Sequence, residues 1–159
     1  MDEVAMVRAI HVLAVIVWIG GVAMVTTVVL PLVRRTAVAT DKLALFDAVE
    51  RRFIWQARIA TLLVAASGFY MVYRLDLWDR FRTLEFWWMH AMVGLWFIFT
   101  AVLFVGEPLI VHRWLHRRAL TAPDSTFAIL HRLHWVLLGL SLITVFAAIV
   151  GSHGMSLFP

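Results

Sequence analysis

The chain of 159 residues contains no cysteine, which excludes disulfides, iron–sulfur clusters and thiolate-bound copper or zinc. Any metal centre must therefore use histidine, methionine, carboxylate or a prosthetic group. The sequence also lacks a Walker phosphate loop, a Rossmann glycine pattern, a GxSxG elbow and an HExxH motif. These absences argue against nucleotide binding and against nucleophilic catalysis of the soluble type.

Long apolar stretches dominate what is present, since 63% of the residues are hydrophobic. Four stretches reach the length of about 20 residues that a helix needs to cross a bilayer. We predict an all-α integral membrane protein, a four-helix transmembrane bundle that forms a single domain over residues 1–159. Residues 36–52 are predicted to hold a short interfacial helix, and residues 112–126 a basic loop. The predicted spans are approximately residues 4–33, 53–73, 86–111 and 127–151.

The positions of the arginines indicate how the chain is oriented in the membrane. The first and third connecting segments are strongly basic, whereas the N-terminus carries Asp2 and Glu3 and the second segment is mixed in charge. Because Lys and Arg are enriched on the cytoplasmic side, we predict that both termini face outward. This topology accounts for the net charge of +4 without a nucleic-acid partner.

Seven histidines are many for so apolar a chain, and the predicted topology sorts them into two layers. Ionisable groups in or beside spans are costly, so they are candidates for function. Histidine is also a common ligand of haem iron and of transition metals. The outer layer contains His11, His90 and His153, and the inner layer contains His112, His116, His131 and His134.

The outer layer contains a candidate pair of haem ligands. A b-type haem in a helical bundle needs two imidazoles at equal depth on different helices, and His11 and His90 meet that condition. Gly94 lies one turn after His90, and Trp18 lies two turns after His11, so both are expected to line the cofactor. The alternative is that both histidines are interfacial side chains with their polar tips in water.

The inner layer offers a second haem position. His112 and His134 are expected at matching depth on adjacent spans, where they could ligate a second haem iron. Neighbouring arginines such as Arg113 and Arg117 add positive charge, which suits haem propionates or anionic lipid headgroups better than a bare divalent cation. A basic cytoplasmic rim without a cofactor is the alternative.

Copper is a different interpretation of the outer layer. His153 and Met155 form an exposed pair in the C-terminal tail, and Met89 and Met92 lie near His90. Thioether and imidazole donors suit Cu(I). The alternative is that the methionines are apolar filler in membrane helices.

Two charges lie within the predicted spans. Arg58 lies near the inner end of the second span, and Glu107 lies near the inner end of the third. Because each is costly alone in a membrane, we predict that they pair.

Short motifs resemble two families of small bacterial membrane proteins. The run RAIHVL at residues 8–13, followed by WIGG at residues 18–21, resembles the first span of CopD-type copper-resistance membrane domains. HemJ-type protoporphyrinogen oxidases share an aromatic-plus-glycine pattern after an early histidine. The run ERRF at residues 50–53 and WMH at residues 88–90 are also similar to HemJ.

The resemblance implies a four-span protein of the bacterial inner membrane with periplasmic termini. If the chain is HemJ-like, it binds haem b, and His11 matches the family's essential histidine. Met92 stands where HemJ has a lysine that is tied to activity, so porphyrinogen oxidation is in doubt while haem binding is not. Whether the chain is an enzyme is left open.

From these observations we predict a haem b protein with a redox or electron-transfer role, linked to quinone, porphyrin or a redox partner protein. The alternative is a CopD-like copper-binding or transport protein that uses the outer histidines and methionines. A homodimer formed through the small residues Gly20 and Gly21 is a further expectation.

Overall fold

The structure is a computed structural model that describes residues 3–154, apart from the side chains of residues 110–112. Most of that range is helical, and no β-strand occurs in it. Two short 3₁₀ turns, Trp78–Arg82 and Leu84–Phe86, connect the second helix to the third. The long helices are α1 (Glu3–Arg35), α2 (Ala39–Arg74), α3 (residues 87–121) and α4 (Pro123–Ser152).

Among the described residues, three helices are long and apolar enough to cross a membrane. They are Glu3–Arg35, Leu84–Leu109 and Pro123–Ser152, with mean hydropathies of 2.5, 1.9 and 2.3. A span needs about 20 residues, and each of these exceeds that length. The helix that contains the predicted second span, α2, is not among the three, and it carries Gln56 and Arg58 near its middle.

Two connecting segments differ from the predictions. Residues 36–52 do not form a separate interfacial helix, because α2 runs without interruption from Ala39 and no proline or glycine occurs before Gly68 to break it. The predicted basic loop at residues 112–126 is helical as far as Thr121. It stays helical because one face buries Leu115 and Ala119 completely in the core.

The helices run alternately up and down, so the bundle has a termini end and a basic end. The termini end holds the starts of α1 and α3 and the ends of α2 and α4. The basic end holds the end of α1, the start of α2 and the arginine-rich residues 113–118 of α3. Helix α1 packs mainly on α2, and α3 packs mainly on α4. One apolar cluster fills the middle of the bundle, where Trp18 meets the edge of Phe99 at a ring-centroid distance of 4.8 Å. A second cluster, which includes Phe46 and Phe127, fills the basic end.

Large apolar side chains cover the outside of the bundle. Leu13 on α1, Phe97 on α3 and Phe146 on α4 are 61%, 59% and 69% exposed. In water this surface would be far larger than the apolar patches that soluble monomers tolerate. The exposed surface is therefore compatible with a lipid environment.

Helices α1 and α3 each contain a π-helical segment associated with a proline. In α1 the segment is Val25–Val29, and the amide of Leu30 donates to the carbonyl of Val25, five residues earlier. The next donor in this register would be Pro31, which has no N–H. The carbonyl of Thr26 therefore has no backbone donor within the helix. The Nε2 of His131 on α4 lies 2.9 Å from it.

The same arrangement recurs in α3. Its π-helical segment, Val102–Val111, contains Pro108. Five residues before that proline is Leu103, whose carbonyl accepts hydrogen bonds from the Nε and Nη2 of Arg58 at 3.1 and 2.8 Å. In both helices, then, a backbone carbonyl that the proline leaves without a donor is satisfied by a side chain from a neighbouring helix.

Candidate functional site

His11 is held against α2 in a defined tautomer. Its Nδ1 lies 2.9 Å from the Oγ of Ser67. The hydroxyl of Ser67 donates to the carbonyl of Leu63, so its oxygen is left to accept, and Nδ1 of His11 must carry the hydrogen. The lone pair then resides on Nε2. A histidine that donates through one ring nitrogen and keeps a lone pair on the other has the usual form of a metal ligand.

Gly68 makes this close approach possible. A Cβ atom at position 68 would lie 3.2 Å from Cε1 of His11, which is tighter than most real contacts. The pair Ser67–Gly68 thus supplies both the hydrogen-bond acceptor and the space for the ring. Neither residue was predicted as part of the site, although a serine beside a glycine in an apolar helix was a usable signal.

Trp18, two turns below His11 on α1, has an unsatisfied polar group. Its side chain is 4% exposed, and its Nε1 has no hydrogen-bond partner among the described residues. The hydroxyl of Thr100, next to Phe99 on α3, is buried and likewise lacks a partner within residues 3–154. Buried donors are nearly always satisfied, so each exception needs an explanation, such as a bound group that the protein atoms do not include.

His90 is positioned differently from His11. It is exposed, its Nε2 donates to the carbonyl of Phe81 at 3.0 Å, and the two rings meet edge to face at 5.4 Å. No hydrogen bond or ring contact in the described part of the chain joins His90 to His11. Gly94 is exposed, and an added Cβ would meet nothing within 4 Å, so this side of α3 offers an open surface.

In the inner layer, His134 resembles His11. Its Nδ1 donates to the carbonyl of Leu130 at 2.9 Å, and Nε2 again keeps the lone pair. Its predicted partner His112 belongs to the helix, but the side chain of His112 lies outside the described residues.

His131 differs, because both of its nitrogens are engaged. Arg34 donates to Nδ1 at 3.1 Å, so Nε2 carries the hydrogen and donates to Thr26. The indole N–H of Trp135 also lies 3.0 Å from Nε2, but it cannot donate to a nitrogen that carries a hydrogen. His131 is therefore a structural residue in this arrangement and leaves no lone pair for a metal.

The predicted copper pair is only partly described. His153 is exposed, and its Nδ1 donates to the carbonyl of Ile149 at 2.7 Å. Met155 lies outside the described residues. Within those residues no group of three or more histidine, aspartate or glutamate side chains is arranged to hold a metal ion.

The predicted pairing of Arg58 and Glu107 is confirmed. The Nη2 of Arg58 lies 3.1 Å from the Oε2 of Glu107, and the two side chains are 21% and 19% exposed. Arg58 also lies over the rings of Trp55 and Phe104, at 5.7 and 5.5 Å from the centroids. One guanidinium group thus neutralises a carboxylate, satisfies a carbonyl and packs between aromatic rings.

Two acidic residues that were not predicted as part of the site, Glu50 and Asp47, lie between the Arg58–Glu107 pair and the basic end. Burial, together with repulsion from Glu107 and Asp47, raises the pKa of Glu50 from 4.5 to about 7. Asp47 in turn lies 3.1 Å from His116 on α3. The signal in the sequence was the spacing of Asp47, Glu50 and Arg58 along one helix, but it became informative only once α2 was known to be continuous.

In comparisons with protein-family models, curated proteins and solved structures, nothing matches this chain.

Proposed function

We propose that this protein is a four-span bacterial inner-membrane protein that binds haem b through His11 and has a redox or electron-transfer role. The observation that carries the proposal is the His11–Ser67 hydrogen bond of 2.9 Å, because it fixes the tautomer that leaves Nε2 as a ligand. A bound haem b would supply one-electron transfer. The resemblance to HemJ supports the same role for His11.

The residues around His11 fit a haem. The ring is partly buried within an apolar bundle and is held from behind by Ser67 and Gly68, so it is already oriented before a cofactor binds. The unsatisfied indole N–H of Trp18, in the core below, would gain an acceptor if a polar group of a ligand reached it. Both features belong to the chain itself.

His90 is the proposed second axial ligand. To serve as one, its Nε2 must release the carbonyl of Phe81, which costs one exposed hydrogen bond. If it stays on that carbonyl, His11 alone would hold the haem, and a haem held in this way would supply small-molecule or porphyrin chemistry. His134 is the candidate ligand for a second, inner haem, because its Nε2 is open in the same way as that of His11.

The fourth span and the orientation are part of the proposal. Although α2 carries Arg58, that charge is paired with Glu107 and satisfies a carbonyl, so the helix can lie in a bilayer against α1 and α3. The basic end then faces the cytoplasm and the termini end faces the periplasm.

The test is a reduced-minus-oxidised visible spectrum of the protein purified in detergent after expression with added haem, with a pyridine haemochrome assay for stoichiometry. We expect a Soret band, and sharp α and β bands on reduction if two imidazoles bind. His11→Ala should remove the outer haem, whereas His153→Ala is the matched control and should leave the spectrum unchanged.

The result also distinguishes the other interpretations. His90→Ala should convert a six-coordinate spectrum to a five-coordinate one if His90 is a ligand, and His134→Ala should remove only a second haem. A colourless protein would overturn the haem proposal. Stoichiometric Cu(I) binding by that colourless protein would instead favour the copper alternative.

A further inference from the structure

A groove at the basic end is lined by three arginines and by apolar residues. It has a volume of about 770 Å³, is largely open to the outside, and lies on α3 where the apolar stretch gives way to arginines. Its floor and walls are Leu109, Arg113, Trp114, Arg117, Arg118, Thr121 and Ala122. No acidic residue is among them, so the groove is purely cationic where it is charged.

Three arginines elsewhere in the described chain are neutralised by carboxylates, whereas the groove arginines, like most others, are not. Arg58, Arg74 and Arg82 each pair with a carboxylate. In the described part of the chain, none of the three groove arginines lies within ion-pair distance of an acidic group. Their charge is therefore available for an anion from outside the protein.

The spacing of the arginines suits a phosphate group. Arg113 and Arg117 are four residues apart, so they project from the same face of the helix about 6 Å apart along its axis. Both are exposed. Two guanidinium groups at this spacing can share one phosphodiester, each through paired N–H donors.

The apolar part of the groove points to a lipid rather than to a soluble phosphate. Leu109 lies in the apolar stretch one turn before Arg113 and is 60% exposed, so it would lie at the level of the acyl chains. Trp114 is 38% exposed, and the guanidinium of Arg118 lies 5.6 Å from its ring centroid. An aromatic ring and basic groups directly beyond an apolar surface are arranged as the interface of a bilayer requires.

We propose that this groove binds the headgroup of an anionic phospholipid, with its phosphodiester on Arg113 and Arg117 and an acyl chain beside Leu109. The opposite face of the same helix buries Leu115 and Ala119, so the bound lipid would be fixed to the bundle core and not to a mobile loop. The proposal does not depend on haem binding.

The test is native mass spectrometry of the full chain in detergent, titrated with phosphatidylglycerol and, separately, with phosphatidylcholine. Each basic residue near an anionic headgroup contributes about fivefold in affinity, so R113Q/R117Q should weaken phosphatidylglycerol binding by about 30-fold. The control R80Q/R82Q removes the same charge from the other end of the bundle and should leave that affinity within about twofold.

Several results would overturn the proposal. The unaltered protein could bind the two lipids equally, or R113Q/R117Q could keep its affinity for phosphatidylglycerol. The control R80Q/R82Q could also lose as much of that affinity as R113Q/R117Q does. Binding of soluble glycerol phosphate as tight as that of the lipid would contradict the role of Leu109. Loss of a Soret band in R113Q/R117Q would assign the arginines to haem propionates instead, whereas loss of lipid binding with the band intact supports the lipid site.

Discussion

Replacing Arg58 by methionine tests whether side chains satisfy the carbonyls that prolines leave without donors. The substitution keeps most of the apolar volume but removes two hydrogen bonds to the carbonyl of Leu103 and the ion pair with Glu107. An unsatisfied buried carbonyl costs about 1–3 kcal/mol. Breaking a buried ion pair costs about 3–5 kcal/mol, and less here because both side chains are about a fifth exposed. We expect R58M to lower the free energy of unfolding by about 3 kcal/mol.

A second substitution separates the carbonyl from the ion pair. In P108A the backbone N–H is restored, so α3 can satisfy its own carbonyls and needs Arg58 less. In the P108A background, R58M should therefore cost about 1–2 kcal/mol less than it does in the unaltered chain. E107Q keeps a neutral acceptor for Arg58, and it should cost about 1 kcal/mol.

The assay is reversible unfolding in mixed micelles by titration with sodium dodecyl sulfate, followed by circular dichroism. Arg74→Met is the matched control, because its partner Glu3 lies 3.5 Å away and both side chains are about half exposed or more, so the cost should stay below about 1 kcal/mol. The reasoning is refuted if R58M costs no more than R74M, or if P108A leaves the cost of R58M unchanged.

Three further predictions concern the site and its surroundings. Ser67→Ala should reduce haem affinity about 10- to 100-fold in a haem titration, because Nδ1 of His11 loses its acceptor. Ser67→Thr keeps a hydroxyl and should restore most of that affinity. Equal affinities in all three proteins would contradict the assigned tautomer. Trp18→Phe should lower haem loading in the same titration, because it removes a buried donor that a polar group of the ligand would satisfy; unchanged loading would show that the indole N–H takes no part in binding. Relative to E50Q, the unaltered protein should lose stability as pH rises from about 4.5 to about 7, by up to about 3 kcal/mol, because the folded protein holds a proton on Glu50 that the unfolded chain releases. A stability difference between the two proteins that is the same at about pH 5 and about pH 7.5 would contradict this.

The helical class and most helix positions could be predicted from the sequence. Apolar stretches of span length identify helices without knowledge of their neighbours, so α1 and α4 agree with their predicted spans to within a few residues. The pairing of Arg58 with Glu107 was also predictable, because two charges at equal depth in a membrane have few other partners.

Other features could not be predicted, because they depend on which helix faces are in contact. The continuation of α3 to Thr121 depends on burial of Leu115 and Ala119 against other helices, which overrides the polar composition of that segment. The hydrogen-bond partners of the histidines could not be predicted from the sequence either. Depth along the helix axis placed His11 and His90 at one level, but rotation about the axis directs His11 to α2 and His90 to the connecting turn.

The two proline-associated π segments couple the hairpin α1–α2 to the hairpin α3–α4. Each freed carbonyl belongs to one helical hairpin, and the side chain that satisfies it belongs to the other: His131 of α4 bonds to α1, and Arg58 of α2 bonds to α3. Each hairpin thus supplies the donor that the other one lacks. Loss of either contact should leave a carbonyl unsatisfied in the opposite half of the molecule.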